Sequence, residues 1–132
     1  MDPGVWGPFF WKTFHYVCLG YPDVPSDSDK KKYADWLNNF HYIIPCEQCS
    51  VSFKKIQQAY PFKGDILSCR QKIYAHSVFL HNKVNAKLGK PVFSDKRALN
   101  SFDSTGYLHG RVFQLNFMII GILIVLCFIK FN

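Results

Sequence analysis

Apolar residues recur along this chain at three- and four-residue intervals, and no stretch alternates apolar with polar as a half-buried strand would. The first such run predicts a helix over 5–20, with Pro8 in its opening turn and Gly20 as its stop. After a loop at 21–26, Ser26 or Asp27 can cap a second helix over about 29–43; its Tyr33, Trp36, Leu37 and Phe40, with Ile44 beyond, keep helical spacing. A third helix is expected over 46–60, entered directly through Pro45 in its first turn, with apolar Val51, Phe53 and Ile56. Residues 60–65 read as a loop. A long fourth helix is expected over 66–88, with Ile73, His76 or Ser77, Leu80, Val84 and Leu88 as its stripe and Gly89 and Pro91 as its stop. A short fifth helix around 95–102 completes an all-α fold of four packed helices plus that fifth.

The tail departs from this pattern. Residues 112–129 carry no charge, and 117–129 are nonpolar throughout, so the apolar surface would run all round a helix. That predicts a single transmembrane helix over 112–131, joined by a linker at 106–111 to a domain of residues 1–105. Lys96, Arg97 and Arg111 precede the charge-free run 112–129 and only Lys130 follows it, a bias that places the domain on the cytoplasmic side. The stretch Met1-Asp2-Pro3-Gly4 has no basic n-region, so no secretory signal is expected.

Chemistry enters at Pro45-Cys46-Glu47-Gln48-Cys49. Two thiols three residues apart can close a disulfide, hold a metal or pass electrons. A cysteine at a helix N-terminus meets free N–H groups and the positive end of the dipole, which makes Cys46 the candidate for a reactive, low-pKa sulfur. Three readings stay open here: a redox dithiol, a structural zinc site completed by His76 and His81, and two inert reduced thiols. Two further pairs put polar groups on apolar faces. Trp11 and His15 lie four apart on the first helix, and His81 and Asn85 four apart on the last. Core packing is the plain reading of Trp11 and a satisfied imidazole that of His15; a ligand with hydrogen-bonding edges is the alternative partner for His81 and Asn85.

Composition adds less. The net charge of +7 is concentrated between Lys54 and Arg97, where ten Lys and Arg face only Asp65 and Asp95. That suits an anionic surface or the phosphates of a nucleotide, while the absence of a tight basic cluster argues against nucleic acid. Five cysteines leave at least one unpaired; Cys18 and Cys69 could bridge, and Cys127 lies in the tail. The aromatics (13 Phe, 7 Tyr, 3 Trp) supply a core and can flank a flat cofactor.

Three separated segments together resemble the Erv/ALR family of FAD-linked sulfhydryl oxidases: Trp6-Gly7, Trp11 and His15 with Tyr21-Pro22; Pro45 to Cys49; and His81-Asn82-Lys83-Val84-Asn85-Ala86-Lys87-Leu88-Gly89-Lys90-Pro91. The resemblance covers about 6–102. It implies a four-helix bundle that holds FAD beside the dithiol. Cys46 and Cys49 would be catalytic, with Cys46 the outer sulfur that exchanges with substrate and Cys49 the one facing the flavin. Gly7, Trp11, His15, His81, Asn82, Val84, Asn85, Lys87 and Lys90 would line the FAD site, with the lysines near its phosphates and Phe102 offering an aromatic face. No resident metal is implied. Implied partners are dithiol substrate proteins, among them a thioredoxin-like carrier, O2, and a second copy of the chain docked through the first helix around Phe9, Phe10 and Phe14.

The chain also departs from the family pattern. His76 and Phe102 stand where tryptophans are common, and no cysteine is present at Val78, Phe79 or 92–102 for the structural disulfide many members have. A disulfide-forming enzyme tethered on the reducing side of a membrane suits the compact members found in large DNA viruses that assemble in cytoplasm. The resemblance therefore implies a viral source and a virion or host cytoplasmic membrane.

Overall fold

A computed structural model describes residues 1–94; the expected fifth helix, Phe102, the linker, the transmembrane span and Cys127 lie outside these residues. The described part is helical, and no helix in it is long and apolar enough to cross a membrane. Helix α1 spans Pro3–Leu19, α2 Asp27–Asn38, α3 Glu47–Ala59 and α4 Arg70–Lys87. Two short 3-10 turns, Phe40–Ile43 and Gly64–Leu67, lead into α3 and α4.

The boundaries differ from the sequence expectation for local reasons. Helix α1 starts two residues early, because Asp2 caps it: its carboxylate accepts from the Gly4 N–H at 2.8 Å, with Pro3 in the first turn. Pro8 therefore lies inside the helix, not in its opening turn. Ser26 caps α2 in a capping box with Asp29, two residues ahead of the expected start. The same helix stops at Asn38 instead of running to 43. The Asn39 carboxamide donates to the Asp35 carbonyl at 2.7 Å, and its backbone N–H turns to Trp36 O at 3.3 Å, which tightens the chain into a 3-10 turn. Cys46 is the N-cap of α3, so Pro45 precedes the helix. The long helix expected over 66–88 breaks at Ser68, and α4 begins at Arg70. There the buried guanidinium reaches back to the Tyr21 carbonyl (2.6 Å) and to Asp23 (3.0 Å), and the Tyr21 hydroxyl donates to Leu67 O at 2.8 Å. Gly89 stops α4 with φ +65, the left-handed conformation that glycine adopts without strain.

Helix α1 packs along α4, and α3 closes against α4. Phe14 is the hub: fully buried, it meets Phe40 at 4.8 Å, Phe53 at 5.9 Å and Phe62 at 5.9 Å between ring centroids. Each such ring stabilises the fold by roughly 2–3 kcal/mol through apolar area removed from water. Asn38 braces the loop after α3, accepting from the Phe62 N–H (2.8 Å) and donating to its carbonyl (3.2 Å). Of the face expected to pair two copies, Phe14 belongs to this core and Phe10 is half-buried. Only Phe9 is left exposed, joined on the outside of α1 by Val5 and Tyr16.

Candidate active site

Cys46 and Cys49 are joined as a disulfide, with Cα atoms 5.2 Å apart. Cys46 Sγ also serves as the helix cap, accepting from the Cys49 N–H at 3.3 Å. The turn before it is tied down where the Ser50 hydroxyl donates to His41 O at 2.7 Å. Both sulfurs belong to half-buried residues, so exposure does not separate them, but helical position does. Cys49 heads a four-residue ladder with Phe53 and Gln57, both buried; Cys46 heads one with Ser50 and Lys54, both partly open to solvent. Cys49 thus shares the buried face of α3 and Cys46 its more open face.

Phe53 carries the inner ladder to a cluster of rings between α1 and α4, its ring 5.5 Å from that of Trp11. Trp11 stacks on His81 at 3.9 Å, with ring planes 8° apart, and lies 5.9 Å from His15. The proton positions follow from one carbonyl. Tyr74 O can only accept, so the Ser77 hydroxyl donates to it (2.7 Å) and accepts from His15 Nδ1–H (2.8 Å). His15 Nε2 then accepts from His81 Nδ1–H at 3.0 Å, which leaves His81 Nε2 a lone pair. Burial pushes His15 down to about 3 and His81 to about 4, helped by each other's proximity for His15 and by Lys90 for His81. Both imidazoles are neutral at physiological pH.

The Erv1/Alr family model matches residues 8–103, which take in the dithiol and the whole ring cluster. The chain belongs to the Erv1/Alr family. It is 31% identical over 105 residues to an assigned FAD-linked sulfhydryl oxidase of Acanthamoeba polyphaga mimivirus, covering 80% of this chain and 73% of that protein. One from Invertebrate iridescent virus 6 is 29% identical over 102 residues, 74% of this chain and 92% of its own. Among solved structures, the FAD-binding domain of Erv1 from Saccharomyces cerevisiae superposes with a TM-score of 0.66 at 32% identity, over 73% of this chain and 89% of that one.

In this Erv1/Alr chain the expected site residues divide into those that gather at the ring cluster and those spent elsewhere. Gly7, Trp11 and His15 form one ladder on α1; Ser77, His81 and Asn85 form the facing ladder on α4. Gly7 has open space where a Cβ would stand, and Asn85 is a largely buried residue of the α4 ladder, 6% exposed. Val84 is half-buried beside them, and Lys90 lies close enough to His81 to depress its protonation. Lys87 reaches α3 instead, donating to Ser52 Oγ at 2.7 Å. Asn82 clamps the strap beyond α4, accepting from Phe93 N–H and donating to Phe93 O, both at 2.8 Å, and sets the Phe93 ring 5.5 Å from His81.

Sequence reasoning missed the parts played by Ser77, Phe53 and Phe93. Ser77 stood one four-residue step before His81, the only signal that could have singled it out over His76. The zinc alternative fails on placement: His76 Nε2 bonds to Tyr60 O at 3.0 Å, His81 is stacked on Trp11, and no metal-holding group of three ligands forms among the described residues. Cys18 and Cys69 are not bridged; Cys18 is fully buried and its thiol is pushed up to about 12.

Proposed function

We infer that this chain is an FAD-linked sulfhydryl oxidase, which converts dithiols of substrate proteins to disulfides through Cys46 and Cys49 and returns the electrons to O2 as hydrogen peroxide. The observation that carries it is the inner ladder: Cys49 heads the row that leads through Phe53 to Trp11, which supports one site made of the dithiol and the ring cluster. The residues present fit the cofactor. The ring cluster offers flat faces, Gly7 an uncovered backbone edge, Asn85 a largely buried carboxamide, and Lys90 a cation for phosphate, with no carboxylate among them.

The protein's own chemistry is thiol exchange. A substrate thiolate attacks the outer sulfur of Cys46; the Cys46–Cys49 bond breaks and Cys49 leaves as thiolate. The second substrate thiol attacks the mixed disulfide, which forms the substrate disulfide and releases Cys46 as a thiol. Two electrons have then passed from substrate to enzyme, one proton with Cys46, while the proton of the attacking substrate thiol goes to solvent. Bound FAD, which Gly7, Trp11, His81, Asn85 and Lys90 would hold, would supply the acceptor for that electron pair and the link to O2. The capped turn at Cys46 holds the sulfur that substrate meets, while the neutral His15–His81 pair keeps uncompensated positive charge out of the cluster.

The deciding experiment is an absorbance spectrum of the purified chain under anaerobic dithiol. A flavin band near ~450 nm, bleached by dithiol and restored by air, is expected. Cys46→Ser or Cys49→Ser should cut O2 uptake by at least about 100-fold, since each removes half of the exchanging bond. A colourless protein that shows no O2 uptake with added FAD would overturn the reading.

We further propose a membrane anchor and a homodimer. The apolar composition of 112–131 supports a membrane anchor, which flotation of the full chain with liposomes tests, and the excess of Lys and Arg before the apolar run supports a catalytic domain on the cytoplasmic side of a host or virion membrane. Exposed Val5, Phe9 and Tyr16 on α1 support a homodimer, which light scattering of a Phe9→Glu variant tests.

A further inference from the structure

A second concavity lies away from the ring cluster, where the end of α2, the first 3-10 turn and α3 meet. It encloses about 490 Å³ and is walled largely by polar side chains, among them Asn39, His41, Tyr42, Lys54, Gln57 and Gln58, and its lining includes no carboxylate. At its wall, Leu37 O accepts from the Gln57 amide at 2.5 Å, so Gln57 Oε1 must accept from His41 Nδ1–H at 3.0 Å. His41 Nε2 is the ring nitrogen left over. It is buried and has no hydrogen-bond partner among the described residues, and the residue as a whole is 5% exposed. A buried polar atom without a partner costs on the order of a hydrogen bond and marks a place where a ligand has something to supply.

We propose that this groove is a docking subsite for an extended polypeptide segment bearing an acidic side chain, contributed by the dithiol substrate protein; the proposal rests on the sulfhydryl oxidase reading. Lys54, held over the Tyr42 ring at 5.7 Å with no acidic neighbour in the lining, supplies the attraction for a carboxylate. An extended backbone presents both N–H groups and carbonyls, and so can partner His41 Nε2 and the Gln58 amide. A small anion offers the charge without the donor. Position supports a substrate chain over an unrelated ligand. Cys46, Ser50 and Lys54 follow at four-residue steps on one face of α3, and the groove's 3-10 turn runs straight into Cys46. Lys54 lies roughly 12 Å along the helix from the outer sulfur, and an extended chain advances about 3.3 Å per residue. A substrate whose cysteine meets Cys46 thus brings the residue about four positions away to Lys54.

The test uses the full chain and a fluorescent peptide in which the substrate cysteines are serines, with Asp four residues from the first serine, set against the same peptide with Lys there. Anisotropy should show the Asp peptide binding about five-fold tighter, a preference that shrinks with salt. Lys54→Gln should abolish the preference and Lys54→Glu reverse it, while His41 imidazole ¹⁵N resonances of the unmodified protein shift on adding the Asp peptide. Equal binding of the two peptides, an unmoved His41 signal, or a response to acetyl-aspartate as strong as to the peptide would each overturn the proposal. Because the peptide has no thiol, these outcomes are independent of turnover; failure to oxidise dithiothreitol would sink the oxidase reading instead.

Discussion

His15 and His41 are buried histidines wired alike at one ring nitrogen and differently at the other. In each, a backbone carbonyl orients a polar side chain, Ser77 on Tyr74 O and Gln57 on Leu37 O, and that side chain accepts from Nδ1–H. His15 then uses its Nε2 to accept from His81; His41 Nε2 meets no partner among the described residues. The first arrangement is complete within the fold and holds the ring cluster rigid. The second lies at the wall of an open groove, so its missing partner has somewhere to come from. Burial alone does not distinguish a structural histidine from a receptive one; the unpaired nitrogen does.

The contrast makes ranked predictions for stability. His15→Phe strands Ser77 Oγ and His81 Nδ1 together and should cost about 3–4 kcal/mol, whereas His41→Phe strands only Gln57 Oε1 and should cost about 1–2 kcal/mol. Urea unfolding of the two variants measures this, and equal losses would dissolve the distinction.

Acid gives the next effect. His15 and His81 are held at about 3 and about 4 in the folded chain, below their ordinary value of 6.5. The unfolded chain therefore takes up protons first as pH falls. Their stabilisation is full above about pH 6.5 and is lost progressively below it; His15 alone accounts for about 3 kcal/mol by pH 4. The unfolding midpoint should fall steeply between pH 6.5 and 4, and less steeply in His15→Phe.

The smallest effect is expected at Asn82, whose two bonds to Phe93 are solvent-exposed. Asn82→Ala should lower stability by less than about 1 kcal/mol yet speed hydrogen exchange at the Phe93 amide. Asn38→Ala, which removes the same two-point brace from the half-buried Phe62 loop, should cost about twice as much in the same urea assay.

The helices themselves were legible because four-residue spacing survives whatever the tertiary partners are. Trp11 with His15, and His81 with Asn85, could be paired from the sequence for the same reason, and the structure sets those pairs face to face. The interruptions were not legible. At Asn39 the apolar spacing continues through the 3-10 turn, and no Gly or Pro announces it; a side chain takes the backbone's acceptor. At Ser68 the chain bends while Arg70 reaches a loop about fifty residues earlier, a long-range contact that no local window contains. The groove was invisible for a related reason: His41 becomes noteworthy only when Gln57 and Leu37 fix its proton, and all three lie on separate segments.

Cys46 performs two duties at once, as half of the disulfide and as the cap of the helix that follows it. The cap requires only a sulfur lone pair, which oxidised and reduced cysteine both possess. The bond can therefore open and close without the first turn of α3 losing its acceptor. A catalytic cycle built on such a joint needs little reorganisation of the backbone on either side of it, so repeated turnover leaves the scaffold where it was.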